Sequence, residues 1–151
     1  MIKVETIGMI QNSKINPTIT SQNDVENYTF LTVDGDLYLI TNTVTGDNAY
    51  REGVTFKAGE YLNGYLVKAF EGEKLVVDEK HIAYGDGQDY EDITDGTIFT
   101  VDEGKLKTAV STPESGVYFK VTEKTTLTGK AVKVKVYVAG DGTTANSEGS
   151  Y

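Results

Sequence analysis

The sequence predicts an all-β fold: a small β-sandwich or partly open β-barrel built from hairpins, with an extended N-terminal arm and little helix. Three observations carry the prediction. Sixteen glycines stand against two prolines in a chain rich in Thr, Val and Tyr, the composition of a turn-rich β protein. Apolar and polar residues alternate with period two in the C-terminal half. Glycine-containing turns separate short strand-like runs along the rest of the chain.

Taken in order, residues 1–20 hold scattered apolar positions around a polar QNSKINP segment, and read as an edge strand or extended arm. Ser21 with Asp24 three residues on suggests a short helical turn over NDVENY, residues 23–28. YTFLTV (28–33) and DLYLIT (36–41) flank Asp34-Gly35, a dipeptide suited to the left-handed dihedrals of a two-residue hairpin. KAF and KLVVD flank Glu71-Gly72, and TIFTV and KLKTAV flank Asp102-Glu103-Gly104. These three strand–turn–strand units favour a sandwich or barrel. In GVYFKVTEK, Val117, Phe119 and Val121 alternate with Tyr118, Lys120 and Thr122. In AVKVKVYVA, Val132, Val134, Val136 and Val138 alternate with Lys133, Lys135 and Tyr137. Such alternation marks antiparallel strands covered on one face. The organisation is then an arm or edge strand at 1–20, a β domain at 21–139 and a flexible polar tail at 140–151.

Composition narrows the function. At 151 residues the chain is one domain, able to bury a sizeable core. A net charge of −9, with Arg51 the single arginine among 14 basic residues, argues against nucleic acid as partner. Without cysteine there is no disulfide, thiolate metal site or cysteine nucleophile. The segment MIKVETIGMIQNSK lacks the apolar core of a signal peptide, and no run approaches the ~20 apolar residues of a membrane span.

YGDGQDYEDITDG offers a calcium candidate in Asp86, Asp89 and Asp92. Its spacing does not match the EF-hand loop, and a solvated acidic loop is the preferred reading. His81 is the single histidine, and no GxSxG elbow accompanies it. Ser111, Thr112 and Ser115 read as a turn around Pro113. Neither GxGxxG nor GxxxxGK[ST] occurs. The tyrosines Tyr61 and Tyr65, Tyr84 and Tyr90, and Tyr118 and Tyr137 remain as sugar-stacking or protein-interface candidates. The expectation is a protein without catalytic residues, metal or cofactor.

FKAGEYLNGYLVKAFEGEKLVV (56–77) is similar to a pattern in small phage head decoration proteins, where an x-AG-x-x-L-x-G-x-hydrophobic strand leads into a hairpin. The matching residues are Ala58, Gly59, Leu62 and Gly64. GTIFTVDEGKLKTAV looks like the second half of such a domain, and residues 1–139 resemble phage proteins encoded near the major capsid gene. The acidic insertion at 85–96 and the polar tail depart from that pattern. The resemblance implies a capsid cement protein of the virion exterior, present in the host cytoplasm during assembly. Its partner would be the major capsid protein, and it would bind as a homo-trimer. The acidic charge and the lack of a long apolar run, for their part, point away from nucleic acid and membrane as partners. The resemblance further implies a capsid-binding arm, for which Ile2, Val4, Ile7, Met9 and Ile10 are the candidates. Two rival readings are a tail-tube or baseplate β domain, and a carbohydrate-binding module stacking sugars on Tyr61, Tyr65, Tyr84 or Tyr90.

Overall fold

The computed structural model describes residues 2–4, 15–41, 54–127 and 129–140. Chain order runs β1 (Ile2–Val4), β2 (Ile15–Ile19), β3 (Val25–Glu26), β4 (Phe30–Val33), β5 (Asp36–Ile40), β6 (Thr55–Phe56) and β7 (Leu62–Leu66). It continues with β8 (Lys74–Asp78), β9 (Ile82–Ala83), β10 (Ile98–Asp102), β11 (Lys105–Ala109), β12 (Gly116–Thr126) and β13 (Lys130–Ala139). A seven-stranded sheet in the order β1-β8-β13-β12-β10-β11-β9 faces a four-stranded sheet in the order β2-β7-β5-β4. A two-stranded ribbon, β3-β6, forms a third layer. Neither large sheet closes on itself, so the domain is an open sandwich and not a barrel. Helix among the described residues is confined to 3-10 turns at Val67–Phe70, Glu79–His81 and Tyr90–Asp92. None of the described helices is long and apolar enough to cross a membrane.

The strongest hairpin is β12–β13, where Val121, Val132, Val134 and Val136 are buried along with Phe119. Its alternation is the one read from sequence, although Val138 is only half-buried. The β4–β5 hairpin turns on Asp34 and Gly35 at φ 51 and 84, and β10–β11 on Glu103 and Gly104 at φ 49 and 84. Left-handed dihedrals at both central residues are what a two-residue loop needs to follow the strand twist. The third expected unit differs. Glu71-Gly72 is a turn, but Val67–Phe70 before it is a 3-10 turn in which Val67 and Phe70 both reach the core. Spacing of three residues suits one side of a 3-10 turn, where side chains at i and i+3 eclipse. The expected helical turn at 23–28 is also absent. Ser21 accepts a hydrogen bond from the Asn23 N–H at 3.1 Å, but β3 follows, and Tyr28 at φ 64 breaks any helix there.

Two cores result. Between the large sheets, Phe30, Leu39 and Tyr65 meet Phe99, Phe119, Val134 and Val136, with Phe30 and Phe119 ring centroids 5.6 Å apart. On the other side of the smaller sheet, Ile19, Val25, Tyr38, Ile40 and Leu62 pack with Phe56 of the ribbon. The smaller sheet is therefore buried on both faces. This explains Gly64 in mid-strand. A Cβ there would lie 3.0 Å from Ile19 Cδ1, 3.2 Å from Ile40 Cδ1 and 3.3 Å from the Leu39 carbonyl oxygen. Gly64→Val is expected to destabilise by about 1–3 kcal/mol through overpacking, read as a lower denaturant midpoint. Unchanged stability would mean that Ile19 and Ile40 swing clear.

Candidate functional site

The outward face of the seven-stranded sheet carries the most unusual grouping of side chains. Strand register places Tyr118 opposite Tyr137, Lys120 opposite Lys135, and Lys135 opposite Lys74. Three lysines thus lie in a row across β12, β13 and β8. Like charges directly opposite one another are unfavourable in a sheet, and among the described residues no carboxylate forms an ion pair with any of the three. On a chain of net charge −9, this local basic surface is a marked segregation of charge. Neighbouring Lys133 differs, having Glu123 at 3.9 Å.

Beside the row, the Tyr118 and Tyr137 rings stack at 5.3 Å with 14° between their planes. Lys120 Nζ lies 5.3 Å and Lys135 Nζ 5.7 Å from the Tyr137 centroid. The ring quadrupole attracts the ammonium groups and offsets part of their mutual repulsion. Burial raises the Tyr118 pKa above the ordinary phenol value, with smaller contributions from Tyr137 and Glu71. Two rigid half-buried rings beside flexible cations make an amphipathic surface of the kind protein interfaces use.

The acidic segment is organised for another purpose. The Asp89 side chain accepts from the Glu91 N–H and the Asp92 side chain from the Asp89 N–H, both at 2.9 Å, in a reciprocal cap on the 3-10 turn. Asp86 stands exposed on the turn beside Gly87. Among the described residues no three acidic or histidine side chains converge as a cation requires. Tyr90 pins this turn to the large sheet. Its buried ring carries a hydroxyl that donates to the Ala131 carbonyl at 2.8 Å, with the Thr125 carbonyl at 3.3 Å. Lys124 and Lys130 flank the ring at 5.0 and 5.3 Å.

The other candidate residues are dispersed. Tyr65 is buried in the main core, with its ring 5.4 Å from Phe70, and Tyr61 is 75% exposed. Tyr84 is half-buried and donates to Glu79 Oε2 at 2.9 Å. Tyr61, Tyr65, Tyr84 and Tyr90 therefore form no common stacking platform. Ala58 and Gly59 make a turn, with Gly59 at φ 88 and the Ala58 N–H donating to Asp24 Oδ1 at 2.9 Å. Leu62 is buried in the second core. His81 ends a 3-10 turn, edge-on to Tyr28 at 6.1 Å. Ser111, Thr112 and Ser115 lie exposed in the connection between β11 and β12. Ile2 is buried in the main core and the backbone of Val4 pairs with Leu75, while Ile7, Met9 and Ile10 lie outside the described residues.

Burial raises the Tyr84 pKa, and the hydrogen bond to Glu79 and its charge raise it further. The fold therefore favours the neutral phenol. Its contribution to stability is complete below the unfolded tyrosine pKa of about 10 and is lost as pH climbs beyond it. Glu79→Gln is expected to lower the Tyr84 pKa, followed by its ring-carbon shift in an alkaline NMR titration. An unmoved titration would refute the hydrogen bond.

No protein-family model matches the chain, and no curated protein and no solved structure matches it either. The class defined by the fold is an all-β open sandwich.

Proposed function

We propose that the protein is a structural binding domain that docks through the outward face of its seven-stranded sheet. In its particular form, the proposal is a capsid decoration protein on a phage head. The observation that carries the binding role is the row Lys74, Lys120 and Lys135 beside the stacked Tyr118 and Tyr137. A lysine row maintained against its own repulsion fits an acidic partner surface, which would relieve that repulsion on contact. The choice of capsid rests on the resemblance of residues 56–77 to head decoration proteins. Binding only to the assembled lattice would stabilise the head by mass action, multiplied over many symmetric copies. Association as a trimer would match local threefold lattice symmetry.

The test is cryo-microscopy of heads assembled from the major capsid protein of the same genome, with and without this chain. Added density on the outer surface is the expected result, lost or thinned with the double substitution Lys120→Glu and Lys135→Glu. Heads that stay bare would end the capsid reading. Full occupancy by the double variant would exclude the lysine face as the docking surface.

A further inference from the structure

A second surface lies on the opposite sheet and has the opposite charge. Among the described residues, strand β4 is an edge strand that pairs with β5 alone. The two-residue turn at Asp34 and Gly35 makes Val33 and Asp36 a hydrogen-bonded pair, so the pairing parity points Leu31 toward β5 and Phe30 and Thr32 away from it. The Phe30 N–H is already engaged, donating to the Gly104 carbonyl at 3.1 Å. Phe30 itself is buried, with Gly104 packed against its carbonyl, so the outward backbone groups of exposed Thr32 are the ones left open, without a partner among the described residues. They face a groove of about 450 Å³ between the edge, the ribbon strand β3 and the β10–β11 turn.

The groove is acidic. Asp24 and Glu26 line one side, Asp102 and Glu103 the other, and no basic residue lines it. Asp24 also accepts from the Ala58 N–H, and Asp102 has Lys107 Nζ at 3.5 Å, so among the described residues Glu26 and Glu103 carry the uncompensated charge. We propose that the open end of the β4 edge, at Thr32, receives an extended, lysine-bearing segment of another protein, laid alongside β4 as an added strand. Main-chain bonds to Thr32 hold such a segment in register, and the carboxylates on either side select its side chains. A second copy of this chain is disfavoured as occupant, because net charge −9 meets an acidic groove. Charged edges also discourage self-pairing. The proposal stands independently of the capsid reading, since it concerns a different sheet and a partner of opposite charge.

The experiment titrates the full chain with a blocked peptide of alternating lysine and valine, and with its glutamate counterpart, following backbone amides by NMR. The lysine peptide is expected to bind at least about tenfold more tightly than the glutamate peptide, weakening as salt is raised. It should also protect the Thr32 amide from hydrogen exchange. Thr32→Pro removes the outward donor without touching the β5 ladder, a substitution edge strands tolerate, and is expected to abolish binding. The pair Glu26→Lys and Glu103→Lys is expected to invert the preference, and it decides the matter alone if Thr32→Pro fails to fold. Equal affinity for both peptides, no binding of the lysine peptide, or an uninverted preference in the charge-reversed variant would overturn the proposal. So would a dimer that protects Thr32 without any peptide, since the edge would then belong to a second copy.

Discussion

Tyr90→Ala is expected to cost about 4 kcal/mol, as truncation of a fully packed aromatic does. It would be read as a fall in denaturant midpoint at constant slope. The ring belongs to the main core, and its hydroxyl supplies a buried donor to the Ala131 carbonyl at 2.8 Å. Tyr90→Phe separates the two contributions. It keeps the packing and leaves the carbonyl without this donor, for about 1–2 kcal/mol. Tyr90→Phe should also leave the Asp89–Asp92 cap in place, because those bonds are internal to the turn. Tyr90→Ala should free the turn and raise its hydrogen-exchange rate. A Phe variant as stable as the parent would refute the buried bond, and slow exchange in the Ala variant would show that the turn is anchored elsewhere.

Gly104→Ala is expected to cost about 3 kcal/mol, combining left-handed backbone strain of about 1–2 kcal/mol with overpacking of about 1–3 kcal/mol. The residue sits at φ 84, and a Cβ there would fall 2.6 Å from Thr29 Cγ2. Gly35 provides the control. It occupies the same turn position at φ 84 in the β4–β5 hairpin, with nothing within 4 Å of an added Cβ. Gly35→Ala should therefore show the strain alone, about 1–2 kcal/mol. The difference between the variants measures the close approach of the β10–β11 turn to Thr29. Equal losses would show that the two hairpins do not press together there.

Much of the fold was legible because local chemistry decided it. Asp34-Gly35 and Glu103-Gly104 adopt left-handed dihedrals, and valine alternation marks the covered face of β13. The misreadings arose where tertiary partners overrode a local pattern. The Glu71-Gly72 turn is real, but the Gly72 N–H donates to the Val136 carbonyl at 2.8 Å, joining the turn to β13 instead of to a preceding strand. The lysine row was not legible. Lys120 and Lys135 share a hairpin, yet Lys74 joins them only through the β8–β13 register. Asp89 and Asp92 fitted a calcium candidate as well as the preferred solvated loop, because capping and coordination use the same carboxylates. Only geometry shows which of the two they do.

The topology also orders events in time. Strands β12 and β13 are neighbours in sequence and can close as a hairpin within roughly 1–10 μs, whereas the partner of β1 among the described strands is the distant β8. Closing that long loop costs entropy before any contact rewards it. Strand β1, which precedes β8 by some seventy residues, is thus among the last of the described strands to find its place. In pulse-labelled refolding, amides of β13 should gain protection well before those of Ile2–Val4, and the reverse order would mean that the N-terminal strand nucleates the sheet. Until it docks, β8 offers an unpaired edge from Leu75 to Val77, and crowded chains are most exposed to mispairing in that interval.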